Sequence, residues 1–297
     1  MSGCLVYAPL SNFSLDCSRF EVAPNVQIVH SETLPDLSHL ELELSGHDRL
    51  ELQSVSHWVE VRWEDSLGPS PSECINLVLL ALWMAGPMRT RVVVRFELER
   101  NGGASSRVRH HLDQFNWADR DARRRFDTTD LRPVPNFFSL LSRVRARDNR
   151  MVHAAILTHA GCMAHRWDVA LVCDAAAAEA ALTYSKGRGL TERLAQAYAC
   201  LVATDGEEQA LAHQEFRALY SARSDVMHGR GYDIPQAERT PMVARFEEVL
   251  RRIWRSIADS TRAEHALEST DAGRERFFSH LRGGWSPPGP SHRSSEP

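Results

Sequence analysis

Apolar residues recur every three or four positions through most of the second half of the sequence, and this spacing is typical of amphipathic α-helices. The pattern predicts helical segments at 137–182, 190–204, 206–229 and 240–259. The first segment is long enough for one helix, or for two helices joined near Asp148–Asn149 or near Gly161. Four amphipathic helices with short connections favour an antiparallel bundle, because each helix must bury its apolar face against the others.

The segment 240–259 has the clearest helical pattern. Thr240 is predicted to be its N-cap and Pro241 its first helical residue, because proline loses no hydrogen bond at that position. Its apolar stripe has seven members: Val243, Phe246, Val249, Leu250, Ile253, Trp254 and Ile257. Opposite charges four positions apart are predicted to pair on the outer face of the helix, Glu247 with Arg251 and Glu248 with Arg252.

The first third of the chain alternates apolar and polar residues, and this pattern is typical of β-strands. Strands are predicted at 40–44 and 49–53, which would form a hairpin, and at 55–63 and 91–98. Between the last two strands lies an apolar run that follows a serine and ends at a glycine. This run predicts a buried helix at 70–86.

These patterns predict an α+β fold, with a mixed α/β domain at 1–135, a helical bundle at 136–263 and a disordered tail at 264–297. A length of 297 residues, 43% of them hydrophobic and 25% charged, leaves room for two globular domains. No apolar run approaches about 18 residues and no secretory pattern is found, so we expect a cytoplasmic protein without a membrane partner. Six cysteines without a CxxC pair favour reduced thiols over disulfides.

An arginine stands within the apolar stripe of the segment 206–229. At about 100° per residue, Arg223 lies about 20° from Phe216 on the helical wheel, between Leu219 and Tyr220. Burying a guanidinium without a partner is costly, so either a carboxylate meets it or the stripe faces a wet groove or a subunit interface. Arg223 is therefore the first candidate site residue.

His228 closes the same helix. Ideal geometry places it about 120° from Phe216, but Gly229 is a natural helix stop, so the last turn is free to depart from that angle. An arginine that grips phosphate oxygens, beside a histidine that transfers a proton, suits the cleavage of RNA, whose own 2′-hydroxyl is the nucleophile. This chemistry predicts RNA as the partner and no metal or other cofactor. A second copy of the chain would supply a second histidine.

A different constellation could bind zinc. His159, Cys162 and His165 follow one another at intervals of three, and His153 lies nearby. These three positions spread over about 120° of a helix, Gly161 interrupts them and no compact fourth ligand is evident. The pattern therefore favours ordinary bundle residues, and a metal-dependent hydrolase is the weaker interpretation.

The stretch ALYSARSDVMHGRG, residues 218–231, resembles the C-terminal motif of HEPN domains, which are helical-bundle ribonucleases with an Arg-x4-6-His motif. It resembles the Apea-like branch in particular, where a tyrosine precedes an Arg-Ser pair and the motif ends in His-Gly. The segment 167–182 is similar to the first bundle helix of that family and puts Glu179 at its acidic position. The resemblance covers about residues 150–262.

The resemblance implies a homodimer in which two Arg-x4-His helices meet at a composite, metal-independent RNA-cleaving site. Arg223 would orient the phosphate, His228 would be the acid and base, and Ser224 would be the polar residue that follows the arginine. Glu179 would pair with or position Arg223, and Tyr220 would support it.

Two functions stay open at this point. The first is an RNA endonuclease of stress or phage defence, with an N-terminal domain that recognises a trigger or regulator. The second is a non-catalytic RNA-binding or dimerisation module, in which Arg223 and His228 serve an interface.

Overall fold

The computed structural model of the chain describes residues 3–37, 44–64, 69–88, 90, 92, 94–99, 109–110, 124–147, 149–183, 189–259, 262, 267 and 270–282. The chain forms two compact units, residues 1–147 with 162–165, and residues 148–161 with 166–297. The fold is α+β, as predicted, with an antiparallel sheet in the N-terminal part and many helices in the C-terminal half.

The strands of the first unit are β1 (Gly3–Pro9), β2 (Phe13–Leu15), β3 (Arg19–Ala23), β4 (Val26–His30), β5 (His57–Glu64), β6 (Val94–Glu99), β7 (Arg109–His110) and β8 (Arg124–Phe126). Six of them form one sheet in the order β3-β4-β5-β1-β6-β7, with antiparallel neighbours throughout. Strands β2 and β8 form a separate parallel pair. The strands predicted at 55–63 and 91–98 are confirmed as β5 and β6.

The hairpin predicted around residues 45–48 is wrong, because helix α1 (Gly46–Leu52) occupies this place. The side chain of Ser45 accepts a hydrogen bond from the backbone N–H of Asp48 and so caps the helix. A helix brings Leu44 and Leu52 into one apolar cluster against Trp58 on a face of the sheet. The five alternating residues 49–53 suit either structure, and burial decides between them. Residues 40–43 of the predicted hairpin lie outside the described residues.

The remaining helices of the first unit are α2 (Pro71–Ala85), α3 (Thr128–Leu131) and α4 (Val134–Arg145). Helix α2 confirms the predicted buried helix, with a capping box between Ser70 and Glu73 and its C-cap at Gly86. Helix α4 packs against α2 and β3, and Arg145 forms an ion pair with Glu73. The boundary between the units therefore falls after residue 147, and not at residue 135 as predicted.

The helices that follow are α5 (Arg150–Met163), α6 (Trp167–Leu182), α7 (Leu190–Val202), α8 (Gly206–Met227), α9 (Gln236–Ala258) and α10 (Asp271–Arg282). The predicted break near Asp148–Asn149 is confirmed. The second break comes after Met163, whereas Gly161 stays inside α5. In the part of the chain that the structure describes, no helix has the length and apolarity needed to cross a membrane.

Helix α9 buries all seven apolar residues predicted for it. It begins at Gln236, however, so Pro241 lies inside the helix and Thr240 is not its N-cap. The earlier start is stabilised by Arg239, whose guanidinium donates to the carbonyl of Ile234 and lies 5.2 Å from the centre of the Trp167 ring. These contacts compensate for the backbone hydrogen bond that the helix loses because Pro241 has no N–H.

The predicted outer charge pairs of α9 are also wrong in part. Glu247 and Arg251 are buried, with 0% and 2% of their surface exposed. Arg251 pairs with Glu247 at 3.9 Å and with Glu248 at 2.8 Å, whereas Arg252 pairs with Glu215 of α8. The buried face of α9 is wide enough that Glu247 and Arg251, at its margin, lie inside the unit.

Helix α10 lies within the segment that was predicted to be disordered. Arg274 of this helix is 3% exposed, and its guanidinium donates to the carbonyls of Ala181 and Thr183 at the C-terminal end of α6. Buried Phe277 and Phe278 accompany it. The prediction of disorder is therefore wrong for residues 271–282, and residues 283–297 lie outside the described residues.

Candidate active site

The C-terminal end of α8 has a defined hydrogen-bonding geometry. His228 is the C-cap, and Gly229 follows with a left-handed φ of 76°. The N–H of Gly229 donates to the carbonyl of Val226, and the N–H of Arg230 donates to the carbonyl of Asp225. This pair of bonds is the Schellman motif, which favours glycine at its left-handed position. The predicted helix stop at Gly229 is confirmed.

Arg223 lies one turn before this cap and is half-buried. The Cζ atom of its guanidinium lies 5.5 Å from the centre of the Tyr220 ring, within the range of a cation–π interaction. Its Nε is buried and has no hydrogen-bond partner among the described residues, and no carboxylate in that part of the chain forms an ion pair with it. The side chain thus lies on an aromatic ring, and no described carboxylate forms an ion pair with it.

Tyr220 is buried and connects two other site residues. Its hydroxyl donates a hydrogen bond of 2.8 Å to the Glu179 carboxylate of α6, and its ring stacks on Phe216. The pKa of Tyr220 is raised to about 12, mainly by burial and then by the hydrogen bond to Glu179 and the charge of Glu179, while the charge of Arg223 opposes these effects. The phenol is therefore neutral at physiological pH and acts as a hydrogen-bond donor.

Glu179, Tyr220 and Arg223 therefore form one connected group, which we call the arginine cluster. The expected direct pairing of Glu179 with Arg223 is absent among the described interactions, since the carboxylate binds the phenol instead. Tyr220, which was expected only to support Arg223, forms the link. The side chain of Glu179 comes from another helix, so its contact with Tyr220 depends on how α6 packs against α8.

His228 and Ser224 lie outside this cluster. The imidazole of His228 is exposed at the helix end, and no hydrogen bond or ion pair joins it to Arg223 within the described part of one chain. Ser224 is half-buried, and its backbone carbonyl accepts a hydrogen bond from the N–H of His228. Among the described residues of one chain, Arg223 and His228 are therefore not joined by a hydrogen bond or an ion pair.

The arginine cluster can bind an anion. A guanidinium that lacks a carboxylate partner keeps its hydrogen-bond donors available for phosphate oxygens, and its partly buried setting strengthens that attraction. The Glu179–Tyr220 hydrogen bond fixes the ring on which the guanidinium lies. The cluster therefore holds a cation in a fixed orientation. A proton-transfer group must come from outside the arginine cluster.

The loop after His228 is ordered by contacts that sequence reasoning missed. The guanidinium of Arg230 donates two hydrogen bonds to one oxygen of Asp225, at 2.8 and 3.2 Å. A 3-10 turn, Gly231–Asp233, follows and leads into α9. Gly231 is close-packed, because a Cβ there would lie 3.2 Å from Val226 and 3.5 Å from Trp167. The five-residue spacing of Asp225 and Arg230 was the available signal.

A groove of about 390 Å³ lies between the end of α8 and the start of α9. Its walls include Ala218, Ala222 and Met242, and its charged groups include Asp225, Arg230, Asp233 and Glu238. On the helical wheel, Ala218 lies about 140° and Ala222 about 100° from Arg223, so both are on a different face of α8. The groove is therefore separate from the arginine cluster, although it shares the ordered loop after His228.

A buried polar group in the core of the second unit was also missed. Asp174 of α6 is 1% exposed, and neither of its carboxylate oxygens has a hydrogen-bond partner among the described residues. Burial is the main cause that raises its pKa well above the ordinary value, the charge of Glu247 raises it further, and Arg251 lowers it. Burial therefore favours the protonated, neutral form of Asp174.

The proposed zinc ligands do not form a metal site. Within the described ranges, no three or more His, Cys, Asp or Glu side chains are grouped so as to hold a metal ion. His153, His159, Cys162 and His165 all belong to those ranges. The zinc interpretation thus has no geometric support.

Comparison with known proteins adds no relative. No family model matches the chain, and no curated protein or solved structure is similar to it at a significant level.

Proposed function

We propose that the protein is a metal-independent RNA endonuclease that acts through Arg223 and His228 in a homodimer of HEPN-like bundles. The observation that carries the proposal is the arginine cluster. A half-buried guanidinium, whose Nε has no hydrogen-bond partner among the described residues, lies on a tyrosine that donates a hydrogen bond to Glu179. A fixed, unneutralised cation of this kind suits a phosphodiester, whose charge increases in the transition state of cleavage.

The proposed chemistry uses the 2′-hydroxyl of the RNA as the nucleophile. Arg223 binds the non-bridging oxygens, and His228 takes the 2′-proton or protonates the 5′-oxygen that leaves, so the products end in a 2′,3′-cyclic phosphate and a 5′-hydroxyl. Because no hydrogen bond or ion pair joins His228 to Arg223 among the described residues of one chain, we propose that the site takes its histidine from the second copy. The two-fold arrangement also supplies the second proton-transfer group.

The test is the incubation of labelled RNA with the wild type, Arg223→Ala and His228→Ala in excess EDTA. The proposal expects cyclic-phosphate products from the wild type alone, while both variants keep the circular dichroism and sedimentation of the wild type. Cleavage that EDTA abolishes, or cleavage that survives in both variants, would overturn the proposal.

A mixing experiment tests the composite site. Arg223→Ala and His228→Ala are co-refolded, so that about half of the dimers contain one of each chain. If Arg223 of one copy works with His228 of the other, each mixed dimer keeps one such pair but only one of its two histidines, so activity rises above that of the separate variants, to at most about a quarter of the wild type. Activity that stays at the level of the separate variants contradicts a site that is shared in this way.

One observation favours the second candidate, a non-catalytic RNA-binding or assembly module. His228 is exposed and unconnected to Arg223 within one chain, and the neighbouring Met227 is also exposed. In this function Arg223 and His228 contact RNA or the second copy without chemistry. RNA binding by the wild type without any cleavage product, in the same EDTA assay, would favour the module.

A further inference from the structure

Tyr232 presents an unusually bare aromatic ring. With 76% of its surface accessible, it is the most exposed of the large hydrophobic residues that the structure describes. Single exposed apolar residues are common on protein surfaces, so exposure alone has no functional meaning. The functional argument depends on two further observations: the hydrogen bonds that fix the backbone of Tyr232, and the charged residues beside it.

The turn that carries Tyr232 is fixed on both sides. The N–H of Asp233 donates to the carbonyl of Arg230, and that of Ile234 donates to Gly231. Arg239 of α9 donates to the carbonyl of Ile234 at 3.0 Å and to that of Tyr232 itself at 3.5 Å. Because its backbone is already ordered, the turn would lose little backbone entropy when the ring binds a partner.

The position of Tyr232 relates it to the proposed chemistry. It lies four residues after His228, and the Asp225–Arg230 ion pair spans the histidine and closes the loop between them. His228 and Tyr232 therefore belong to one ordered segment of the chain. Arg230, the first cationic residue of the loop, forms an ion pair with Asp225.

The charges beside the ring indicate which part of an RNA would contact it. Asp233 follows directly, and Glu238 lines the same groove, and neither carboxylate has an ion pair among the described residues. Two such carboxylates repel phosphate, so the sugar-phosphate backbone is disfavoured on this side. The flat face of a base carries no net charge and stacks on aromatic rings.

We infer that Tyr232 is a stacking platform for one unpaired base of a single-stranded RNA substrate, beside the site that contains His228. The inference rests on the proposed function and names its substrate class. A base within a duplex is stacked on both faces and cannot offer one to Tyr232. The contact therefore selects unpaired RNA over double-stranded RNA.

The test measures RNA binding separately from cleavage. Fluorescence anisotropy of the full-length chain is recorded with a labelled single-stranded oligonucleotide and with a perfect hairpin duplex, all in the His228→Ala background so that the RNA stays intact. Tyr232→Ser is expected to raise the Kd for the single strand about tenfold, with little change for the duplex, whereas Tyr232→Phe keeps the ring and the affinity. Leu211→Ser is the matched control, because Leu211 is 63% exposed on the same helix as the site.

A second arm locates the base. An abasic nucleotide is placed at each position of the single strand in turn, and at one position the effect of Tyr232→Ser is expected to disappear. An equal loss of affinity for single strand and duplex, no loss at all, or a change in dimerisation without a change in RNA binding would overturn the inference. Binding without cleavage by the wild type refutes only the endonuclease and leaves the stacking result to stand by itself.

Discussion

The hydroxyl of Tyr220 donates a 2.8 Å hydrogen bond to the carboxylate of Glu179, which lies on a different helix. The bond fixes the ring on which the Arg223 guanidinium rests. Glu179 thus acts on the arginine through the tyrosine, and both anchoring residues become positioning residues of the proposed site. The relationship makes the orientation of Arg223 dependent on how α6 and α8 pack.

Tyr220→Phe tests this relationship. The variant keeps the ring but removes the hydrogen bond, and it leaves the Glu179 carboxylate without its donor, at an expected cost of about 1–2 kcal/mol in stability. If the tyrosine positions Arg223, RNA cleavage falls about tenfold, mainly in kcat. Glu179→Gln keeps an acceptor for the phenol and is expected to retain more activity than Tyr220→Phe. Equal activity in Tyr220→Phe and the wild type contradicts the positioning role.

The buried carboxyl of Asp174 is expected to make stability depend on pH. Its pKa is raised in the folded protein, so between the unfolded value of about 4 and the folded value the native state binds one more proton than the unfolded state. The contribution of Asp174 to the free energy of unfolding is therefore complete below about pH 4. It is lost as the pH rises toward the folded pKa, by up to about 1.4 kcal/mol per pH unit.

Asp174→Asn removes this contribution, because the amide has a similar shape and cannot ionise. Urea unfolding at a series of pH values measures the slope, which is expected to be less negative in Asp174→Asn than in the wild type. Asp233→Asn, on the exposed turn, is the control and should leave the slope unchanged. Identical slopes in the wild type and Asp174→Asn mean that Asp174 ionises normally.

Gly161 leaves no room for a side chain. A Cβ at this position would lie 2.2 Å from Oδ1 of Asp174, closer than atoms approach without a shift. Gly161→Ala is therefore expected to lower the free energy of unfolding by about 1–3 kcal/mol. Gly206→Ala is the control, because a Cβ added at this position has nothing within 4 Å and alanine favours the helix. The double variant Gly161→Ala/Asp174→Ala removes the collision, and its two effects should not add.

Arg274 is expected to stabilise the end of α6. Burial is the main cause that lowers its pKa to about 10, so it stays charged at neutral pH while it donates to the carbonyls of Ala181 and Thr183. Arg274→Met keeps much of the volume but leaves these carbonyls without that donor, at an expected cost of about 2–4 kcal/mol. Thermal unfolding measures the loss. Arg276→Met, at an exposed position of the same helix, should change the melting temperature little.

Local sequence patterns predicted most accurately those features whose signals lie within a few residues of one another. The seven-residue stripe of α9, the stop at Gly229 and the capped helix after Ser70 all depend on neighbours within a few positions. The segment around Ser45 was misread because a short alternating stretch suits a strand as well as a helix. Its conformation was decided by the apolar cluster that it joins, and the members of that cluster are distant in sequence.

The sequence by itself determined that Arg223 lies in an apolar stripe and that His228 ends the helix, because both follow from spacing along one helix. Only the tertiary structure decided what meets the arginine, placed Glu247 and Arg251 inside the unit, and docked α10 through Arg274. The physical reason is that periodicity fixes which residues share a face of a helix. The side chains that another helix brings to that face depend on packing across the whole unit.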